Sequence, residues 1–233
     1  MFAAPSAPQE TLLELFTRYN QDLWPLHVLA YAVGLIFVVI LVAARRRIAG
    51  PVIAVALGGL WIWLGLVFQG MYATDIDRVL GVAYAVLFVA QGVYLVAVGV
   101  TGRLTFDRDA STTGRQIGWA ALVYALVIYP IVGIVLGHGW PESPLFGMAP
   151  CPTTIATFGF LLLARPPVPR LLLVAPLVWA VLAPPAAVSR GVWEDLGLVV
   201  FGVAAAVILL RRHRVPPPAP SAPPVAARVP ARR

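Results

Sequence analysis

Cys151 is the single cysteine of the chain, and Pro152, Thr153 and Thr154 follow it directly. A thiol in the first turn of a helix, where backbone amides lack carbonyl partners, can be held as a thiolate and serve as nucleophile or metal ligand. Proline suits that turn because it has no amide to leave unpaired, and threonine hydroxyls can bond the free amides. His27 and His138 bring imidazoles, and with Cys151 they form a donor set of the kind that takes Zn or Cu. Neither HxxxH nor CxxC spacing is present, so a metal site would need three separate segments to meet. Glu194 and Asp195 add adjacent carboxylates, Gln91 an amide and Tyr129 a phenol. His27, Gln91, Tyr129, His138, Cys151, Thr153, Thr154, Glu194 and Asp195 are thus the candidate lining of a small-solute or ion pocket around residues 137–159. Each also has a plain reading. Cys151 can be a small core residue beside a helix cap, Glu194-Asp195 can complement a helix dipole, and the other polar groups can lie at a membrane interface, where they cost little.

The elements that would position these groups are membrane spans. Of 233 residues, 60% are hydrophobic and 12% charged, about half the charge of a soluble domain, so lipid is the expected solvent. Seven hydrophobic stretches are read as helices: residues 26–44, 52–71, 79–101, 117–137, 149–164, 171–188 and 196–210. The fifth and seventh are short for a hydrocarbon core of about 30 Å. The fifth is expected to start inside the outer leaflet, presenting its positive dipole end to an anion or dipole. Ahead of the spans, Thr11 to Glu14 has the form of a capping box, and Leu12, Phe16, Tyr19 and Leu23 give an amphipathic helix expected on the membrane surface. The first ten residues carry no basic region or apolar run, so a cleavable leader is not expected. The expected fold class is therefore an all-α membrane protein, a bundle of about seven transmembrane helices over residues 26–210. Residues 1–25 form an extracytoplasmic segment, and residues 211–233 a disordered Pro/Ala/Arg-rich tail.

All basic residues are arginine, which orients the chain. Fourteen lie on one side, in the loops holding Arg45, Arg103, Arg115 and Arg165 and in the tail; Arg18, Arg78 and Arg190 lie on the other. The positive-inside rule puts the amino terminus outside and the carboxyl terminus in the cytoplasm. Polar side chains then fall mainly in the outer halves: His27 and Tyr31, Gln69 and Tyr72, Tyr84, Tyr129 and His138. Trp61, Trp63 and Trp179 are read as fillers of interhelical gaps, and Gly133 with Gly137 as a GxxxG pair for close helix approach.

Several functions are disfavoured. A retinylidene Schiff base needs a lysine, and the chain has none. No Asp, Glu or Arg falls in the middle of a span, whereas proton-coupled pumps usually place such groups there. Phosphate loops, GxSxG and HExxH are missing. A net charge of +7 belongs to loop and tail arginines facing a bilayer, with no nucleic-acid partner expected.

Tyr19-Asn20 with Trp24-Pro25, Leu87 to Gly92, Tyr124 to Pro130, Leu136-Gly137-His138, Cys151 to Ile155, Pro166 to Arg170 and Glu194 to Gly197 together resemble an uncharacterised bacterial multi-pass membrane family, catalogued only as a domain of unknown function. The resemblance spans roughly residues 10–210. It implies an integral protein of a bacterial cytoplasmic membrane and brings no activity or cofactor with it. Two classes of function stay open: a non-enzymatic protein with an outward-facing solute or ion pocket, or an accessory subunit of a larger membrane complex or homo-oligomer. A thiol- or metal-handling enzyme using Cys151 and His138 is a third.

Overall fold

A computed structural model describes residues 11–43, 46–106 and 112–212. Nine α-helices account for most of these residues, and no strand occurs among them: α1 (Leu12–Asp22), α2 (Leu26–Ala43), α3 (Arg46–Trp63), α4 (Arg78–Val100), α5 (Thr112–Val123), α6 (Tyr129–Val135), α7 (Pro150–Leu163), α8 (Val174–Val188) and α9 (Leu196–Arg212). Two π-helical segments prolong the helices they follow, Leu64–Tyr72 after α3 and Tyr124–Ile128 between α5 and α6. The expected tail from residue 213 onward, the first ten residues, and loop charges such as Arg45, Asp107 and Asp109 lie outside the described residues.

Every expected span is helical, and among the described residues they divide by length. Five helices are long and apolar enough to cross a membrane: Ile48–Asp75, Arg78–Val100, Thr113–Val135, Arg170–Val188 and Trp193–Arg211. A sixth arises if α1 and α2, bent by 89°, are taken as one broken span. The last helix is longer than expected, because a 3-10 turn at Trp193–Asp195 leads into α9 and carries the span to 19 residues. The fifth stretch remains short: α7 has 14 residues, about 21 Å of rise.

α7 is the centre of the molecule. All fourteen of its residues are buried, which is why its sequence is apolar on every face rather than along one stripe. α5, α9 and α8 pack around it, and Phe37 of α2 meets Phe160 edge to face at 5.6 Å. Its far end is tied down where Arg165 N donates to Thr105 O at 2.7 Å. The outer helices present Val39, Val86, Val181 and Val203 to the exterior, while Asn20, Gln69, Gln91, Glu194 and Asp195 are buried. This pattern inverts that of a water-soluble protein and suits an apolar solvent.

α3 and α4 form the most extensive helix pair. Their backbones meet at Gly58 and Gly92: a Cβ on either would come within 2.7 Å of the other's carbonyl oxygen. The GxxxG pair at Gly133 and Gly137 does a different job. Gly137, at φ +94°, ends α6 in the left-handed conformation that glycine adopts at low cost, and His138 N closes the turn onto Gly133 O at 2.7 Å.

α1 carries the expected capping box, with Glu14 N bonded to Thr11 Oγ1 and Thr11 N bonded to Glu14 Oε2. Its apolar stripe packs on protein, with Leu15, Phe16, Tyr19 and Asn20 buried. Phe16 stacks on Phe68 at 5.4 Å, and Tyr19 meets Phe68 and Tyr72 edge to face at 5.1 and 5.0 Å. Trp63 Nε1 donates to Tyr19 Oη at 3.1 Å, so this tryptophan anchors α1 as well as filling space.

Replacing Gly92 by Ala is expected to push α3 from α4 and to cost about 1–3 kcal/mol by overpacking. Gly59→Ala, where a Cβ meets nothing within 4 Å, is the control and should unfold at or above the wild-type temperature. Thermal unfolding of detergent-purified variants reads both.

Candidate functional site

One end of the bundle collects the polar side chains. α7 begins there at Pro150, with Ala149 as an N-cap that offers no side-chain bond. Cys151 lies one residue further on, its thiol beside the Asp195 carboxylate and the Trp179 indole. Asp195 comes from the turn preceding α9 and accepts a hydrogen bond from Tyr129 Oη. Tyr129 opens α6 directly after the Tyr124–Ile128 π segment. π-helical turns recur at functional sites because the extra residue turns side chains onto a new face. The other π segment does the same on the opposite wall, bringing Phe68 and Gln69 inward.

These groups line a cavity of about 210 Å³. Phe16, Phe68, Tyr84 and Trp179 form aromatic walls, and Tyr129, Cys151, Asp195 and Gln69 supply the polar part. Tyr84 and Phe88 each meet Trp179 edge to face at 5.1 Å, which fixes the indole plane. Among the described residues Gln69 Nε2 is buried with no hydrogen-bond partner, and Trp179 Nε1, also buried, has only the Cys151 thiol, a weak acceptor, beside it. An unmet and a weakly met donor in an apolar surround are costly unless a ligand or water accepts from them. Asp77 and Arg190 also line the cavity, but both are engaged: Asp77 caps α4 through Val79 N and Leu80 N, and Arg190 donates to Ala186 O at 3.0 Å.

Of the nine residues expected to line a pocket, the structure brings Tyr129, Cys151 and Asp195 together. The others have separate duties. His27 Nε2 pairs with Asn20 Oδ1 at 2.8 Å, and Asn20 Nδ2 donates to Pro141 O and Ser143 O at 2.6 and 2.9 Å, tying α1, α2 and the loop before α7 into one joint. Gln91 Nε2 donates to Leu172 O at 3.0 Å and holds the turn ahead of α8. Thr153 Oγ1 accepts from Gly147 N and donates to Ala149 O, and Thr154 Oγ1 donates to Pro150 O. The threonines therefore bond backward to carbonyls and fold in the preceding loop, instead of capping free amides of α7. His138 sits beside Glu194, with Nδ1 and Oε1 3.8 Å apart.

His27, His138 and Cys151 thus belong to three different contact sets. Among the described residues no group of three His, Cys, Asp or Glu side chains is placed to hold a metal ion. Cys151 also has an acidic neighbour, not the basic one that a nucleophilic thiolate uses.

Gln69 and Tyr84 were visible in the sequence as polar groups in the outer halves of their spans. Trp179 read only as packing, because a tryptophan's indole N–H carries no sign of whether a partner waits for it. Ser143 gave no signal, and Asn20 stood out only in the Tyr19-Asn20 pair of the family resemblance; both act through one loop whose fold no periodicity encodes.

Asn20→Ala removes three hydrogen bonds from a buried joint. Each buried partner left unmade should cost about 1–3 kcal/mol, so the variant is expected to unfold well below wild type. Asn20→Asp keeps the acceptor for His27 but sets a carboxylate oxygen against the Pro141 and Ser143 carbonyls, so it should not recover the loss.

No curated protein and no solved structure matches this chain. A family model described as a family of unknown function matches residues 9–217. With nearly its whole length matched, the chain belongs to that family of unknown function, DUF6064.

Proposed function

We propose that this is an integral membrane protein whose role is to bind a small, mainly apolar solute bearing one or two hydrogen-bonding groups. The observation that carries this reading is the aromatic-walled cavity with two buried donors, Gln69 Nε2, which has no partner among the described residues, and Trp179 Nε1, which has only the Cys151 thiol beside it. Ligand sites of this kind are concave and mostly apolar, with a few convergent polar groups that fix orientation. A volume of about 210 Å³ is enough for a small ring or short chain. An acceptor on the solute would take the Gln69 and Trp179 protons, and Asp195 would accept from a hydroxyl or amine. The reading is one of binding and includes no chemical step.

The distribution of arginines supports an orientation in which this end of the bundle faces outward from a bacterial cytoplasmic membrane. The cavity is then reached from the cell exterior, past α1 and the loop that follows α6.

Cys151 is the only thiol, so the wild-type chain reports on its own pocket. A membrane-impermeant methanethiosulfonate applied to intact spheroplasts is expected to modify Cys151, and Ala183→Trp, which fills the lining, should slow modification by about tenfold or more, on the order of 1.4 kcal/mol of lost access. Labelling that needs lysed membranes would reverse the orientation. Labelling only after denaturation, or at an unchanged rate in the tryptophan variant, would remove the pocket reading.

A further inference from the structure

At the carbonyl end of α6 a second set of buried polar atoms converges, distinct from the cavity lining. Glu194 is 1% exposed, and neither of its carboxylate oxygens has a hydrogen-bond partner. Its nearest basic group, His138 Nδ1, is 3.8 Å away, beyond hydrogen-bond reach, and is itself unpartnered. Ser143 Oγ is a third unpartnered atom, on a residue 4% exposed. All three residues meet over Gly133, whose missing side chain leaves the space between them. A Cβ on that glycine would stand 3.1 Å from Glu194 Oε1, 3.5 Å from the His138 carbonyl oxygen and 3.8 Å from Ser143 Oγ.

A buried carboxylate whose one basic neighbour is an imidazole 3.8 Å away is a costly arrangement in a protein interior. The arginine nearest to it in sequence does not relieve it, since the Arg190 guanidinium bonds Ala186 O and is exposed. The donor chemistry indicates what would. Carboxylate, hydroxyl and backbone carbonyl are hard oxygen ligands, and the carbonyl terminus of a helix favours positive charge. Broken helix ends supply comparable carbonyls to alkali ions in membrane transporters. One carboxylate balances one positive charge; calcium takes six to eight oxygens, and softer metals need imidazole and thiolate groupings that the described residues do not form.

We propose that Glu194, Ser143 Oγ and the His138 carbonyl bind a monovalent alkali cation, with sodium as the type ion. His138, 13% exposed at its side chain, forms the boundary between this site and the surface, and Gly191 leaves its ring room: a Cβ there would lie 3.8 Å from the imidazole. The site goes beyond the solute pocket. Glu194 and Asp195 share the Trp193–Asp195 turn, yet Glu194 does not line the cavity. Either site can therefore fail without the other.

The test is thermal unfolding of the full chain in detergent, titrated with sodium chloride or potassium chloride against choline chloride at constant ionic strength, and repeated across pH. The titratable groups facing Glu194 are His138, Asp195, Tyr124, Tyr129 and Cys151, so pH is varied independently of salt. The expected result is a saturable rise in the unfolding midpoint with an alkali cation and none with choline, a loss of that response in Glu194→Gln, and an apparent affinity about tenfold weaker in Ser143→Ala. The proposal is overturned if the midpoint is the same in all three salts, if Glu194→Gln keeps the wild-type response, or if only lower pH stabilises the protein, which would mean that Glu194 holds a proton in place of the cation. Should Glu194→Gln not fold, the salt response of wild type against Ser143→Ala decides, and equal affinity in those two rejects the site.

Discussion

The complete enclosure of α7 is the constraint from which the rest of the architecture follows. A helix of 14 residues cannot reach from one face of a bilayer to the other, so its ends must be satisfied by protein. At one end the 103–106 segment supplies the partner. At the other, the loop before it folds inward, with Phe146 and Met148 buried and Gly147 N bonded to Thr153. The longer helices then stand around a plug that stops short, and the cavity forms in the length that the plug does not fill.

That geometry accounts for where the polar atoms went. Buried polar groups in an apolar surround must meet each other. Asn20, His27 Nε2 and the carbonyls of Pro141 and Ser143 meet, and Tyr129 and Asp195 meet as a pair; among the described residues His27 Nδ1, Gln69 Nε2 and the Glu194 carboxylate do not. The turn Trp193–Asp195 stands between two of these polar sets, facing the cavity through Asp195 and the end of α6 through Glu194.

Helix positions were legible because long apolar runs leave little else to form, and the concentration of polar residues at one end was legible because each span could be read by depth. What could not be read was rotation about the helix axes. Gln91 and Gln69 are both amides on apolar spans, yet one ties a loop and the other faces a cavity; the difference comes from the π-helical insertion at Leu64–Tyr72, and no residue pattern marks it. The same limit misled the reading of Gly133 and Gly137. Their spacing fits helix packing, but a loop that doubles back over the end of α6 made one of them a helix stop and the other a floor. The length of the last span was underread for a related reason: the acids at its start look like the edge of a membrane, and burial overrode that appearance.

The seating of α1 has a kinetic meaning. Leu12 and Phe16 are part of the cavity wall, and the helix that carries them has 11 residues, joined to α2 through an 89° bend. The opposite wall includes the α3–α4 pair, locked backbone to backbone at Gly58 and Gly92, which leaves it no room to shift. Of the two walls, only the one held by side chains can swing clear without separating the bundle. Exchange between cavity and surroundings by that route would break the contacts of Phe16 on Phe68 and Tyr19 on Tyr72 together with the Trp63–Tyr19 bond and the Asn20 joint, so its rate would be set by how those bonds open while the remaining helices stay in place.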